Sequence, residues 1–234
     1  MFSGFAFGLF TDFTIIMSVE RMILIPGMGA DERLYGPQGD YGLDFEVLRP
    51  PVPDPDEDMA GYAGRVGEQI GLTEGCVVGG VSFGGMLACE LARHCRVRGV
   101  ILIASCSDGS TIPKYYHFAE LVSRAIPDFL IRRRCIASSR MLAKLESLSD
   151  RQYQLIRDMS REVPIPFLRR ASKMLLNWNN PPPILSPVYH IHGAKDRIIP
   201  IRNLSPDEII PDGGHLINLT HARIVNKFIE RHLC

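Results

Sequence analysis

The chain has 234 residues, 46% of them hydrophobic and 22% charged, the make-up of an ordinary globular protein able to bury a sizeable core. Lysine plus arginine (26) equals aspartate plus glutamate (26), which argues against a nucleic-acid partner, since a broad footprint would show as a basic excess. The six cysteines are scattered without a CxxC pair, which favours a reduced, cytoplasmic setting over a disulfide framework.

The first 17 residues, MFSGFAFGLFTDFTIIM, are rich in phenylalanine but have no basic n-region and carry Asp12. They fit neither a signal peptide nor a spanning helix, so no stable membrane insertion is expected. Residues 1–16 read as an extension and residues 17–234 as a single domain. The competing reading is an aromatic arm packed on a neighbouring subunit or a lipid surface; the sequence sets no oligomeric state.

From Met22 short apolar runs alternate with helical patterns. RMILIP (21–26) reads as a buried strand ending in a Pro-Gly turn, and FEVLRP (45–50) as a second strand. The acidic, proline-rich PPVPDPDEDM leads into a glycine-rich helix, MAGYAGRVGEQIGL. CVVGGV is a third strand, FGGMLACELARHC a helix and VRGVILIAS a fourth strand. Strands that are apolar throughout and alternate with helices imply a parallel sheet covered on both faces. The alternation stops at about 105–186, where HFAELVSRAIPDFLIRRRC, SRMLAKLESL and PFLRRASKMLLNW give basic helical patterns closed by NNPPP. The strand pattern resumes in PVYHIHG (187–193) and DEIIP, before a closing helix THARIVNKFIERHL. The stretch at 105–186 is therefore expected to be a helical cap inserted in the domain. The expected fold class is α/β: a three-layer α/β/α sandwich with a mostly parallel sheet of about six strands.

The chemistry is concentrated in CVVGGVSFGGMLACELAR (76–93). Glycines between strand and helix either cradle a phosphate or let the chain turn sharply enough to expose Ser82. The phosphate readings fail on spacing. No i, i+2, i+5 glycine set surrounds Ser82, and in PGMGADE Glu32 stands where the third glycine belongs. No Gly-Lys-Ser/Thr follows either. Gly80-Val81-Ser82-Phe83-Gly84 does match G-x-S-x-G in the strand-turn-helix context that motif needs. A serine hydroxyl is a weak nucleophile and needs a base and an orienting acid. HIHGAKDRIIP carries Asp196 beyond a strand, and PDGGHLIN carries His215 before the last helix. Ser82, Asp196 and His215 follow the order serine, acid, histidine.

On the strand-plus-PGMG segment, GVSFGG, HGAKDRIIP and GGHLIN, the chain resembles the α/β-hydrolase superfamily over roughly residues 21–232. The resemblance implies Ser82 as nucleophile, Asp196 as acid and His215 as base, with the backbone N–H groups of Met28 and Phe83 as oxyanion hole. One departure is Pro26-Gly27 where the family commonly has His-Gly, which bears on how that loop is held.

Several residues have plainer readings. Asp108, which follows the fourth strand, is the alternative acid; Asp207 and Asp212 are further candidates, although loop aspartates commonly form turns. Of His190 and His192, one is expected to be a hydrogen-bonded core residue, and HxH alone gives no metal site. No cofactor is expected. Arg132 to Arg134 read as a solvated helix face. Met86, Phe118 and Trp178, with Leu121 and Phe129, are candidates for an acyl pocket, against simple helix packing. The expected function is a serine hydrolase cleaving carboxylic esters of small or medium acyl groups, with a small-molecule ester as partner. The alternatives are a lyase, C–C hydrolase or acyltransferase at the same residues, or a non-catalytic small-ligand receptor on this fold.

Overall fold

A computed structural model of the chain describes residues 21–113 and 126–233. Six parallel strands form one sheet in the order β2-β1-β3-β4-β5-β6. They are β1 (Met22–Ile25), β2 (Glu46–Val47), β3 (Val77–Val81), β4 (Gly99–Ile103), β5 (Val188–Gly193) and β6 (Glu208–Ile210). Every residue of β1, β3 and β4 is buried, as expected for strands covered on both faces. Alternate side chains divide between two cores. Ile23, Ile25, Val78, Val100 and Leu102 face one, Met22, Leu24, Val77, Ile101 and Ile103 the other.

The first core is closed by α2 (Met59–Ile70) and α3 (Phe83–His94). The Asp58 carboxylate caps α2 by accepting the Gly61 N–H at 2.7 Å, and Gly71 ends it in the left-handed conformation at φ 59°. Nearly all of α3 is buried, which marks it as the central helix. The second core lies under α1 (Gly36–Asp40) and the closing helix α8 (Ala222–Leu233), whose Val225, Phe228 and Ile229 are fully buried.

Between β4 and β5 stand α4 (Asp128–Leu145), α5 (Asp150–Glu162) and α6 (Ile165–Leu176), which form the cap. A reciprocal capping box between Ser149 and Gln152 starts α5. The short α7 (Ile217–Thr220) precedes α8.

FEVLRP yields only two strand residues. Leu48 N–H still reaches the Leu24 carbonyl at 3.0 Å, but Pro50 and Pro51 follow and supply no donors, so the edge ladder stops.

Candidate active site

The turn after β3 places Ser82 at φ 55°, ψ −122°, a conformation L-residues rarely adopt. Three backbone bonds hold it there. Ser82 N–H donates to the Ile103 carbonyl at 3.1 Å, and the Ser82 carbonyl accepts from Gly85 N–H at 3.0 Å and Met86 N–H at 3.2 Å. The Ser105 hydroxyl adds a fourth bond to that carbonyl at 2.6 Å. Gly84 is glycine for lack of space: a Cβ there would run into the backbone of Ile25. β1, β3 and the start of α3 thus meet backbone to backbone, and the serine sits at the crossing.

His215 and Asp196 come together beside it. His215 Nδ1 lies 2.7 Å from Asp196 Oδ2, and both side chains are almost wholly buried. The other carboxylate oxygen accepts the Ile198 and Ile199 N–H groups at 2.8 and 2.9 Å. Burial opposes ionisation of Asp196. The charge of His215, bonds from His192 and His215 and the Ile199 N–H outweigh it, holding the carboxyl well below the usual carboxylate range. Asp108 is elsewhere: it caps a short 3-10 turn through Ser110 N–H at 2.8 Å. Asp207 accepts the His190 N–H at 2.7 Å, and Asp212 faces His221 at the surface. Of these four aspartates, Asp196 is the one that faces His215.

Both histidines of HIH are core residues, and His192 reaches Asp196. His192 Nε2 is 2.9 Å from the Ile199 carbonyl and 3.3 Å from Asp196 Oδ2. A carbonyl only accepts, so His192 carries its proton on Nε2. Its Nδ1 then accepts from His190 Nε2, 3.0 Å away. Burial, then the neighbouring His192, push His190 down to about 4, so His190 is neutral at pH 7.

Ser82 and His215 line one cavity of about 630 Å³ together with Met28, Phe83 and Met86. No hydrogen bond joins their side chains among the described residues; such contacts in catalytic sites tighten when substrate binds. The cap closes the cavity from above with Ile131, Leu142, Met159, Leu168 and Leu175 among others, so its wall is mainly apolar. Met28 Sδ is 3.4 Å from the Ser172 hydroxyl, and Phe83 packs edge-on against Phe167 at 5.8 Å.

Met86 lines the cavity, and Phe118 and Leu121 lie outside the described residues. Trp178 does not line the cavity. Its Nε1 donates to the buried Glu90 carboxylate, and Arg93 lies over its ring at 5.7 Å, so the indole ties the end of the cap to α3. Phe129 is exposed. Arg133 and Arg134 are exposed as expected, while Arg132 donates to the Val163 carbonyl at 2.6 Å. Among the described residues no group of His, Cys, Asp and Glu could hold a metal ion, and no helix is long and apolar enough to cross a membrane.

Sequence reasoning missed two supports of the site. The buried Tyr35 hydroxyl donates to the Ile25 carbonyl at 2.6 Å and accepts the Val81 N–H at 3.1 Å, fastening the ends of β1 and β3. Glu146, at the end of α4, accepts the backbone N–H groups of His215 and Leu216 at 2.8 and 3.0 Å. Neither belongs to a local motif, so only the fold reveals them.

A parallel sheet with a serine turn after its central strand, and an acid and a histidine after later strands, defines the class of α/β hydrolases. Residues 20–227 match the Alpha/beta hydrolase family, and the chain belongs to it. No curated protein matches the sequence. Among solved structures it is similar to an esterase from Exiguobacterium antarcticum (14% identity, 92% of each chain covered, TM-score 0.73). It is also similar to a thermophilic esterase from Thermogutta terrifontis (21% identity, 91% of this chain and 89% of the other, TM-score 0.66). An enol-lactonase from Burkholderia xenovorans aligns at 17% identity over 91% of each chain, with TM-score 0.70. At these identities the likeness shows the fold.

Proposed function

We propose that the chain is a serine hydrolase cleaving carboxylic esters of small or medium apolar acyl groups. One observation carries the reading: the strained Ser82 and His215, which is paired with the buried Asp196 behind it, line a single, mainly apolar cavity. Its volume of about 630 Å³ is in the range of small-molecule sites.

In the proposed cycle His215 Nε2 takes the Ser82 proton as the hydroxyl oxygen attacks the acyl carbon. Asp196 holds the ring with Nδ1–H directed at its carboxylate and stabilises the imidazolium that forms. The N–H groups of Met28 and Phe83, both in the cavity wall, stabilise the oxyanion; one such donor is worth ~3 kcal/mol of barrier. The imidazolium then protonates the leaving alkoxide. A water, deprotonated by His215, hydrolyses the acyl-enzyme and returns Ser82 to its starting state. An alkoxide leaves more readily than an amine, which favours esters over amides.

The test is hydrolysis of p-nitrophenyl esters from acetate to laurate, with Ser82→Ala and fluorophosphonate labelling in parallel. Turnover by the wild type that is lost in S82A, and that peaks at short or middle acyl lengths, supports the proposal. Neither turnover nor labelling overturns it and leaves the ligand-receptor reading. Labelling without turnover overturns the simple-ester substrate and retains the nucleophile.

A further inference from the structure

The cap is fastened to the loop that carries the candidate base, and the fastening is a carboxylate. Glu146 follows the last residue of α4, 69 positions before His215. Its Oε1 accepts the His215 N–H at 2.8 Å and its Oε2 the Leu216 N–H at 3.0 Å. Two consecutive backbone donors on one carboxylate fix both the position and the tilt of the peptide between them, a charge-assisted, two-point attachment.

The chain is shaped on both sides to permit this contact. On the cap side, Glu146 N–H bonds the Leu142 carbonyl and Leu148 N–H the Ala143 carbonyl, each at 2.9 Å. Between them Ser147 takes φ 52°, a position normally given to glycine at a helix end. That turn aims Glu146 off the helix axis. On the loop side, Gly214 does not need positive φ; a Cβ there would collide with the Glu146 carboxylate. A second, separate bond from the cap reaches the same region, from Gln152 Nε2 to the Leu219 carbonyl at 2.9 Å.

We propose that Glu146 is a positioning residue for His215, setting the backbone from which the imidazole reaches both Asp196 and Ser82. This rests on the hydrolase reading above. A carboxylate offers two acceptors to two N–H groups. The isosteric amide offers one acceptor and turns an N–H₂ against the second donor.

Glu146→Gln therefore keeps the packing and breaks the attachment. Misplacement of a reacting group by ~1 Å costs about 100-fold in rate, so E146Q is expected to lower the fluorophosphonate labelling rate and the ester kcat about 10- to 100-fold, with KM nearly unchanged. Gln152→Ala, which loosens the cap without touching the His215 peptide, is expected to label at the wild-type rate. Wild-type labelling and kcat in E146Q overturn the role of Glu146 while leaving the nucleophile intact. An equal loss in Q152A also overturns it, because attachment of the cap in general then explains the effect. If E146Q does not fold, Glu146→Asp, which keeps the charge but shortens the reach, gives the same reading: a wild-type rate overturns the proposal and a reduced one supports it. No labelling of the wild type would instead overturn the hydrolase reading, and the positioning role with it.

Discussion

Ser82 is held at φ 55°, ψ −122°, and that strain should be measurable by removing the hydroxyl in two ways. Ser82→Ala and Ser82→Gly both delete Oγ, so the loss of the nucleophile is common to the two. They differ in the Cβ that makes the conformation costly. A non-glycine residue in such a region costs ~1–3 kcal/mol, while glycine enters it freely but loses ~0.5–1 kcal/mol through the greater freedom of the unfolded chain. The difference leaves S82G more stable than S82A by about 1 kcal/mol. Both variants keep the backbone bonds that close the turn, Ser82 N–H to Ile103 and the Gly85 and Met86 amides to the Ser82 carbonyl. The assay is urea unfolding of the two variants at pH 7 in one buffer. For a chain of this length the expected difference corresponds to ~2–4 °C in Tm. Equal stability, or S82A the more stable, would refute the claim that the turn stores strain at this residue.

Asp196→Asn keeps Oδ1 for the Ile198 and Ile199 amides but turns an N–H₂ toward His215 Nδ1 and His192 Nε2, the side where both rings now donate. His215 must then present the wrong tautomer to Ser82, and kcat on an ester is expected to fall about 10⁴-fold; a loss under tenfold would remove Asp196 from the proposed role. His190 gives a pH prediction. Its pKa is about 4 in the fold against an ordinary value of 6.5, so between those limits the unfolded chain binds more protons. Its contribution is therefore fully present above pH 6.5 and is lost as pH falls towards 4, with a limiting slope of ~1.4 kcal/mol per pH unit. Asp196 adds its own loss only below its unfolded pKa of ~3.9, so the two windows separate. Chemical unfolding between pH 7 and 4 should show this slope in the wild type and a flatter one in His190→Gln; parallel profiles would rule out His190 as the source.

What was legible in the sequence was what local rules encode. Four-residue and five-residue apolar runs in β1, β3 and β4 are buried on both faces, so burial wrote them as unbroken apolar text. G-x-S-x-G was legible because the crossing of β1, β3 and α3 tolerates no Cβ at Gly84. The glycines before His215 stand out in the sequence, but a backbone bend is not their reason. They carry no positive φ; a Cβ on Gly213 would run into the Ile210 and Ile217 side chains, and one on Gly214 into the Glu146 carboxylate of the cap. Trp178 was misplaced because an aromatic at the end of a cap reads alike whether it faces a cavity or a buried carboxylate on α3. Glu146 lies in KLESLSD, which reads as an exposed helix end, and its partners are backbone groups with no residue signature.

The Pro26-Gly27 departure shows how the same architecture is kept by other means. A loop beside a proposed oxyanion hole must hold its N–H groups rigidly, because a donor that has to reorganise during reaction contributes little. Here proline brings no side-chain hydrogen bond to that loop. Its two flanks are fixed instead by groups outside the motif. Upstream, the Ile25 carbonyl is occupied by the Tyr35 hydroxyl, which also takes the Val81 N–H beside Ser82, so the loop and the serine turn share one anchor. Downstream, Ala30 N–H closes a turn on the Gly27 carbonyl at 3.0 Å, with Gly29 at φ 88° supplying the bend. From the cap, the Ser172 hydroxyl rests 3.4 Å from the Met28 sulfur. The cap thus reaches both halves of the proposed machinery, Met28 through Ser172 and His215 through Glu146. In this chain the cap both walls the cavity and holds the loops beneath it, so substitutions at those two cap residues should act on rate before they act on binding.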